Sequence, residues 1–440
     1  MRRRALMTGG AALASLALLA RAGQAQSAAE FVIVGAGMAG LAAAQELATL
    51  GRSFVLLEAG ARIGGRAHTD ATTFGVPFDR GCAWLHSADK NPLTPLAKSL
   101  GFATFNDKND PWLYLDGEEA SDQDYDRLAA AEKRFERAID AAGKAGRDVS
   151  LASVFPIRNR FDRIAASRNG PSEFGVDLED LSTLDAYRQE GSSVDRLVPR
   201  GLGAMVAAYG ARTPAQLNTA VLRISWKGAT GPSAVRVETR RGAITAKAVI
   251  VTVSNGVLAR GAIAFDPPLP VERQNDLAAV PMGLLNKVAL QFQPGALGKD
   301  RTIDLTVQDG DGEPTYFLLR PFGQEMAIAL IGGRRAREME RAGERAAVDA
   351  ALRALKSAMG GAIERRLIAS TATAWASDPL ALGAYAMAKP GAAAARRRLS
   401  QPLDDRLFFA GEATHPTMPA TLHGAYLSGV EAARRAAKSV

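Results

Sequence analysis

FVIVGAGMAG, residues 31–40, and FVLLEAG, residues 54–60, together decide how this chain of 440 residues folds. The first four residues are apolar and read as a buried parallel strand, and Gly35, Gly37 and Gly40 have the spacing of a tight turn that runs into a helix. The Ala-rich stretch 41–50 supplies that helix and ends at Gly51, so its positive end points back at the glycine turn. Residues 54–57 form a second buried strand. Glu58 at its carboxyl end is placed to accept hydrogen bonds from ribose hydroxyls. A glycine triplet by itself also fits a ligand-free turn. Strand, turn, helix, strand and acid within about 30 residues predict a dinucleotide site, with Gly35, Gly37, Met38, Ala39, Gly40, Glu58 and Ala59 around the ligand.

Length and composition set limits on the rest. A chain of 440 residues exceeds one ordinary core, so two domains are expected, and 47% hydrophobic with 23% charged residues is a globular composition. Arg2, Arg3 and Arg4 precede an apolar Ala/Leu stretch at 11–20, with small residues near Ala25, the pattern of an export leader over 1–27. The paired arginines resemble a twin-arginine signal, which carries proteins already folded around a cofactor, so the periplasm of a Gram-negative bacterium is the expected location. An uncleaved anchor is the competing reading, but the apolar stretch is short for a span, and no stable membrane span is expected once the leader is removed. Without the leader's four arginines the formal charge of +8 falls to +4, with basic residues dispersed over helices, which is no nucleic-acid footprint. The single cysteine, Cys82, excludes an internal disulfide, and His68, His86, His415 and His423 lack metal-ligand spacing, so no metal is expected.

After Glu58 comes ARIGGRAH, in which Gly64 and Gly65 let the main chain approach a phosphate and Arg66, with Arg62 nearby, can neutralise it. This GGR segment resembles the second fingerprint of the flavin amine oxidase family, which includes monoamine and polyamine oxidases. FDRGCAWLHSADKNPL, residues 78–93, is similar to the family's segment beneath the flavin, which implicates Gly81, Cys82, Ala83, Trp84 and His86. Cys82 stands where a small residue is usual and reads as packing filler. WLH followed by Asn91-Pro92 is close to the spermine oxidase pattern.

From 116 to 195 the glycine fingerprints give way to amphipathic helix, clearest over 126–142. Short strands are expected at 220–224, 234–239 and 248–253, with a hairpin at 239–242. By spacing Val221 is a core residue; the resemblance gives its backbone a contact with the adenine. In VPMGLLNKVALQF, residues 280–292, strand alternation puts Lys287 on the face opposite Val288, Leu290 and Phe292. On the residues alone a solvated edge lysine is the simpler reading. The resemblance instead has Lys287 hold a water against the reactive flavin nitrogen. Strands at 316–320 and 326–332 and one long helix at 334–358 follow.

WASDPLALGAY, residues 375–385, carries Trp375 and Tyr385 at the family's aromatic positions near the flavin, where each would otherwise read as core. Ala384 stands where monoamine oxidases carry a flavin-linking cysteine, which implies dissociable FAD. LFFAGEATHPTMPATLHGAYLSG, residues 407–429, matches the family's last block: Gly411 and Glu412 would contact the cofactor, Thr421 replaces a second aromatic, and the helix from Leu422 would serve the flavin.

The resemblance implies a two-domain GR2-type flavoprotein of mixed α/β and α+β class. A Rossmann-like FAD-binding domain from 28–115, 196–266 and 372–440 would join a substrate domain from 116–195 and 267–371, a mixed sheet flanked by helices. The implied reaction passes hydride from the carbon next to an amine to flavin N5, after which the imine is hydrolysed to an aldehyde. O2, giving H2O2, or a periplasmic electron acceptor would reoxidise the flavin. Lys287, Tyr385, His86, Trp375 and Thr421 are the candidate catalytic groups, and the substrate is a polyamine or another primary or secondary amine. Oxidation of a cyclic amine or of an L-amino acid, the latter using an arginine such as Arg158 or Arg200 for the carboxylate, stays open at this point. So does an inactive exported flavoprotein. The oligomeric state is not readable.

Overall fold

The computed structural model describes residues 28–108, 110–227, 235–298 and 302–440, so the leader expected at 1–27 lies outside the described residues. β1 (Ala28–Val34) runs into α1 (Met38–Thr49) and returns as β2 (Phe54–Leu57), which pairs with β1 in parallel from Phe31↔Phe54 to Val34↔Leu57. Phe31, Val32 and Ile33 are fully buried, as a central strand covered on both faces requires.

On the other side of β1 lies β3 (Gly242–Val251), which forks. Its first half pairs antiparallel with Val235–Thr239, closing the expected hairpin at Thr239↔Gly242. Its second half takes β4 (Leu407–Phe409) in parallel, Val251 opposite Phe409. The carboxyl ends of β1, β2, β3 and β4 therefore line up, and Gly35, Glu58, Thr252 and Gly411 leave the sheet at one edge. In an open sheet of this kind ligands bind at that edge. α2 (Leu422–Ser439) packs along α1 so closely that a Cβ on Gly429 would lie 2.1 Å from the Ala39 carbonyl oxygen.

The second sheet is mixed, with order 367–372, 285–292, 326–332, 315–319, 303–308, 110–115, 118–119. All its pairs are antiparallel except 303–308 with 110–115. Two corrections to the sequence reading follow. The strand Asp110–Leu115, expected in the first domain, belongs to this second sheet, because its apolar residues complete a core that lies there. The helix expected at 334–358 is two, Gly333–Ala342 and Glu344–Met359, broken at Gly343, whose φ of 93° no helix interior accepts. The strand Leu285–Phe292 sits inside the sheet, between 326–332 and 367–372. Val288, Leu290 and Phe292 face the core under these two helices, while Ala289 meets Phe74, Phe78 and Met326.

Candidate active site

The glycine edge is built from backbone. A Cβ on Gly40 would lie 1.9 Å from the Gly35 carbonyl oxygen, so only glycine lets α1 start against the turn. Gly37 caps α1 without a side chain, leaving the first-turn N–H groups uncovered. Met38 and Ala39 are buried, so what they offer a ligand is main chain. The second glycine segment docks on the first: Gly64 N–H donates to the Ala36 carbonyl at 2.8 Å, and Gly37 and Gly64 form a parallel bridge. Arg62 braces that loop, donating to the Gly65 carbonyl at 2.7 Å.

Glu58 is nearly buried, and its carboxylate accepts from Ala36 N–H and Gly60 N–H, both at 2.7 Å, beside Ala59. It therefore fastens the turn. Its carbonyl accepts from Thr219 N–H at 2.8 Å, which brings the strand Val221–Ser225 alongside; the Val221 side chain is core, as its spacing indicates. Arg66 donates to the Ala384 carbonyl at 2.6 Å and to Glu412 at 2.8 Å. Glu412, buried, also accepts from Ala386 and Ala420 N–H. Arg66, expected on a phosphate, thus joins the N-terminal glycine loop to the C-terminal block. Gly411 N–H donates to Ser428 Oγ on α2, and Leu422 packs against the same core as α1.

Lys287 is 5% exposed, so it is not a solvated edge residue. Its Nζ donates to the carbonyls of Asp79 and Gly81, each at 2.8 Å, and lies 5.3 Å from the centre of the Trp84 ring. Burial pushes its pKa below the usual lysine value, against the pull of Asp79 and Cys82. Two of its three N–H groups are used, and the third remains for a ligand or water. Cys82, beside Ala83 in the same loop, has its thiol pushed by burial up to about 12 and is no nucleophile at neutral pH.

Trp84 donates to Asp107 at 2.5 Å and stacks on His86, ring centres 6.2 Å apart and 21° from parallel. Lys287, Trp84 and His86 thus form a row. Tyr385 comes from the same connection as Ala384; its hydroxyl donates to the Glu173 carbonyl at 2.8 Å, and burial raises its pKa well above 10. Trp375, expected beside the flavin, is 8% exposed and packs in the second core, donating from Nε1 to the Arg80 carbonyl. Thr421, a catalytic candidate on sequence grounds, spends its hydroxyl capping α2: it accepts from Gly424 N–H at 2.9 Å and donates to the Met418 carbonyl. Arg158 and Arg200, the candidates for an amino-acid carboxylate, are exposed, and Arg200 lies over the Phe102 ring.

Several groups had no sequence signal. Asp195 accepts from His86 Nδ1 and from Ser87 N–H, both at 2.9 Å. Asn286, next to Lys287, donates to Glu340 at 2.7 Å and accepts from Thr373 Oγ1 and Trp375 N–H at 3.1 Å. Thr373 Oγ1 in turn accepts from Lys287 N–H at 2.8 Å. These are contacts between residues far apart in the chain, and no local pattern marks them. Among the described residues no cluster of His, Cys, Asp and Glu could hold a metal, and no helix is long and apolar enough to cross a membrane.

The edge fits FAD. A Cβ on Gly37 or Gly411 would meet no atom within 4 Å, so both glycines border open space, next to the uncapped end of α1 and the carboxylate of Glu58. The fold and this edge define a two-domain flavoprotein. The family model for flavin containing amine oxidoreductases matches residues 38–175 and 177–437, and the chain belongs to that family. Polyamine oxidase 4 of Oryza sativa subsp. japonica is 28% identical over 93% of this chain and 88% of its own. Polyamine oxidase 2 of Arabidopsis thaliana is 28% identical over 91% and 86%. Lysine-specific histone demethylase 1 homolog 1 of Oryza sativa subsp. japonica is 30% identical over 93% of this chain, but only 53% of that protein is matched. Putrescine oxidase bound to putrescine superposes with a TM-score of 0.77 at 21% identity, over 93% of this chain and 98% of that one, a likeness of fold. The protein is an FAD-dependent amine oxidase.

Proposed function

We propose that the amine is a polyamine or a related primary or secondary alkylamine, oxidised after export to the periplasm, with O2 or a periplasmic electron acceptor completing the cycle. The observation that carries the substrate reading is the acidic surround of His86: Asp195, Glu173 and Asp107 all act on its ring. A chain with more than one ammonium suits such a pocket, and an α-carboxylate does not. The polyamine oxidases among the relatives support the same class. The leader at 1–27 supports export.

FAD supplies the acceptor for hydride leaving the carbon next to nitrogen. The residues of the chain prepare that step. The aromatic face of Tyr385 holds the apolar part of the amine. Lys287 keeps one N–H for a water near the reacting atoms, and burial makes that ammonium give up its proton more readily than a solvated one. Hydride loss needs a neutral amine, whose lone pair stabilises the developing iminium, and water then releases the aldehyde. Ala384 offers no thiol for attachment, in keeping with non-covalent FAD.

A peroxide-coupled screen against polyamines, aryl-alkyl monoamines, cyclic amines and amino acids tests the reading. Polyamines are expected to give the highest kcat/KM. An amino acid or aryl-alkyl amine ahead of them by tenfold or more overturns the substrate assignment.

A further inference from the structure

Behind the strand Leu285–Phe292, on the face of Asn286 and Val288 rather than that of Lys287, the second sheet and its two helices leave a cavity of about 110 Å³. The break between the helices borders it: a Cβ on Gly343 would meet no atom within 4 Å. Its floor is apolar, formed by Val288, Ile331, Ala336, Met339 and Ala347. Glu340, near the end of one helix, and Glu344, at the start of the next, bring two carboxylates to it. Among the described residues no lysine or arginine lines the space.

Both carboxylates are met by neutral donors. Glu344 Oε1 accepts from Thr371 Oγ1 at 2.8 Å and from Ala372 N–H at 3.0 Å, which leaves its second oxygen to a ligand. Glu340 Oε1 accepts from Ser377 N–H at 2.6 Å, one bond of the two that a carboxylate oxygen can take. An apolar floor beside two acceptors without a cation fits a small molecule with a hydrocarbon end and an ammonium end.

The cavity is also wired to the chemistry. Asn286 Nδ2 donates to Glu340 Oε2 at 2.7 Å, Asn286 Oδ1 accepts from Thr373 Oγ1 at 3.1 Å, and Thr373 Oγ1 accepts from Lys287 N–H at 2.8 Å. We propose that this cavity is an effector site for a small primary alkylammonium ion, the class of molecule the enzyme oxidises, its alkyl group on the apolar floor and its ammonium at Glu340 and Glu344. A cation drawn to Glu340 competes with Asn286 for the same carboxylate, so occupancy slackens the hold on Lys287 and lowers kcat.

The test uses tert-butylammonium, which has no hydrogen on the carbon next to nitrogen and cannot give up hydride. Its neutral counterpart of the same shape is tert-butanol. Holoenzyme labelled with ¹³C at the methionine methyl groups, ten in the chain, reports the site through Met339, assigned with Met339→Leu. Titration with tert-butylammonium chloride is expected to shift the Met339 methyl signal, and tert-butanol to shift it far less. Ala347→Leu fills the cavity, and Glu344→Gln keeps an acceptor for Thr371 and Ala372 while removing the charge; each should weaken the titration about fivefold or more. With the fastest amine of the peroxide screen at saturation, the ion should lower the wild-type kcat about twofold or more, and neither variant should respond. Competition at the flavin raises KM alone, so the two sites are read apart. No Met339 shift at about 50 mM ion, an equal shift with tert-butanol, or a shift that survives both variants overturns the site. Binding at Met339 with kcat unchanged overturns the effector role.

Discussion

The two sheets hold the reaction in different ways. At the edge of the first, main chain that glycine makes approachable borders the open space, and side chains such as Glu58 and Arg66 spend their polar atoms tying loops together. From within the second, what is offered to the reaction is a side chain: Lys287 reaches across to the carbonyls of Asp79 and Gly81, steadied from behind by Thr373, Asn286 and Glu340. The contrast predicts that binding the cofactor and using it are separable. Damage to the first edge should cost FAD itself, whereas damage to the second should cost rate while the protein stays yellow.

The sharpest break is Gly40→Ala. Its methyl group would meet the Gly35 carbonyl at 1.9 Å, so the turn must move, and the purified protein is expected to lack the visible flavin absorbance. A normal FAD content would show that the turn can yield and that the main-chain account is wrong. Lys287→Met comes next: stopped-flow rates of flavin reduction or reoxidation are expected to fall by about two orders of magnitude or more with FAD still bound. Wild-type rates would remove the lysine from the chemistry. Loss of FAD would instead show that the two edges are not separable.

Glu340→Gln should act more gently. All three of its partners, Asn286 Nδ2, Ala376 N–H and Ser377 N–H, are donors, so the new amide NH2 must face one of them. A loss of about 1–3 kcal/mol of stability is expected, read as a fall in Tm of roughly 2–4 °C per kcal/mol, with a rate loss well short of that of Lys287→Met. An unchanged Tm would show that the network behind the lysine is not held by this carboxylate. The smallest effect belongs to Cys82→Ser: with the thiol near 12, alkylation between pH 7 and 9 should be slow, and the pH profile of turnover should match the wild type. A shifted profile would give Cys82 a role beyond packing.

The first edge could be read from the chain because its logic is local. Glycine spacing, a four-residue apolar strand and an acid at a strand end act within about 30 residues, and the structure keeps each of them. The resemblance extended this to Arg66, Lys287, Tyr385 and Glu412, which the fold gathers from 66, 287, 385 and 412. What alternation could not say about Lys287 was whether its face met water or protein. That depended on which strands became its neighbours.

The sequence by itself determined the strand–turn–helix of the first edge, because backbone sterics and apolar periodicity work between near neighbours, while the order of the blocks and the class of chemistry came from its resemblance to the flavin amine oxidases. Only the tertiary structure decided that Arg66 pairs with Glu412, that Asp110–Leu115 joins the second sheet and that Asp195 grips His86. Each of those joins residues from separate segments, and hydrogen bonds need partners within about 3 Å, a distance that the packing of the whole chain sets.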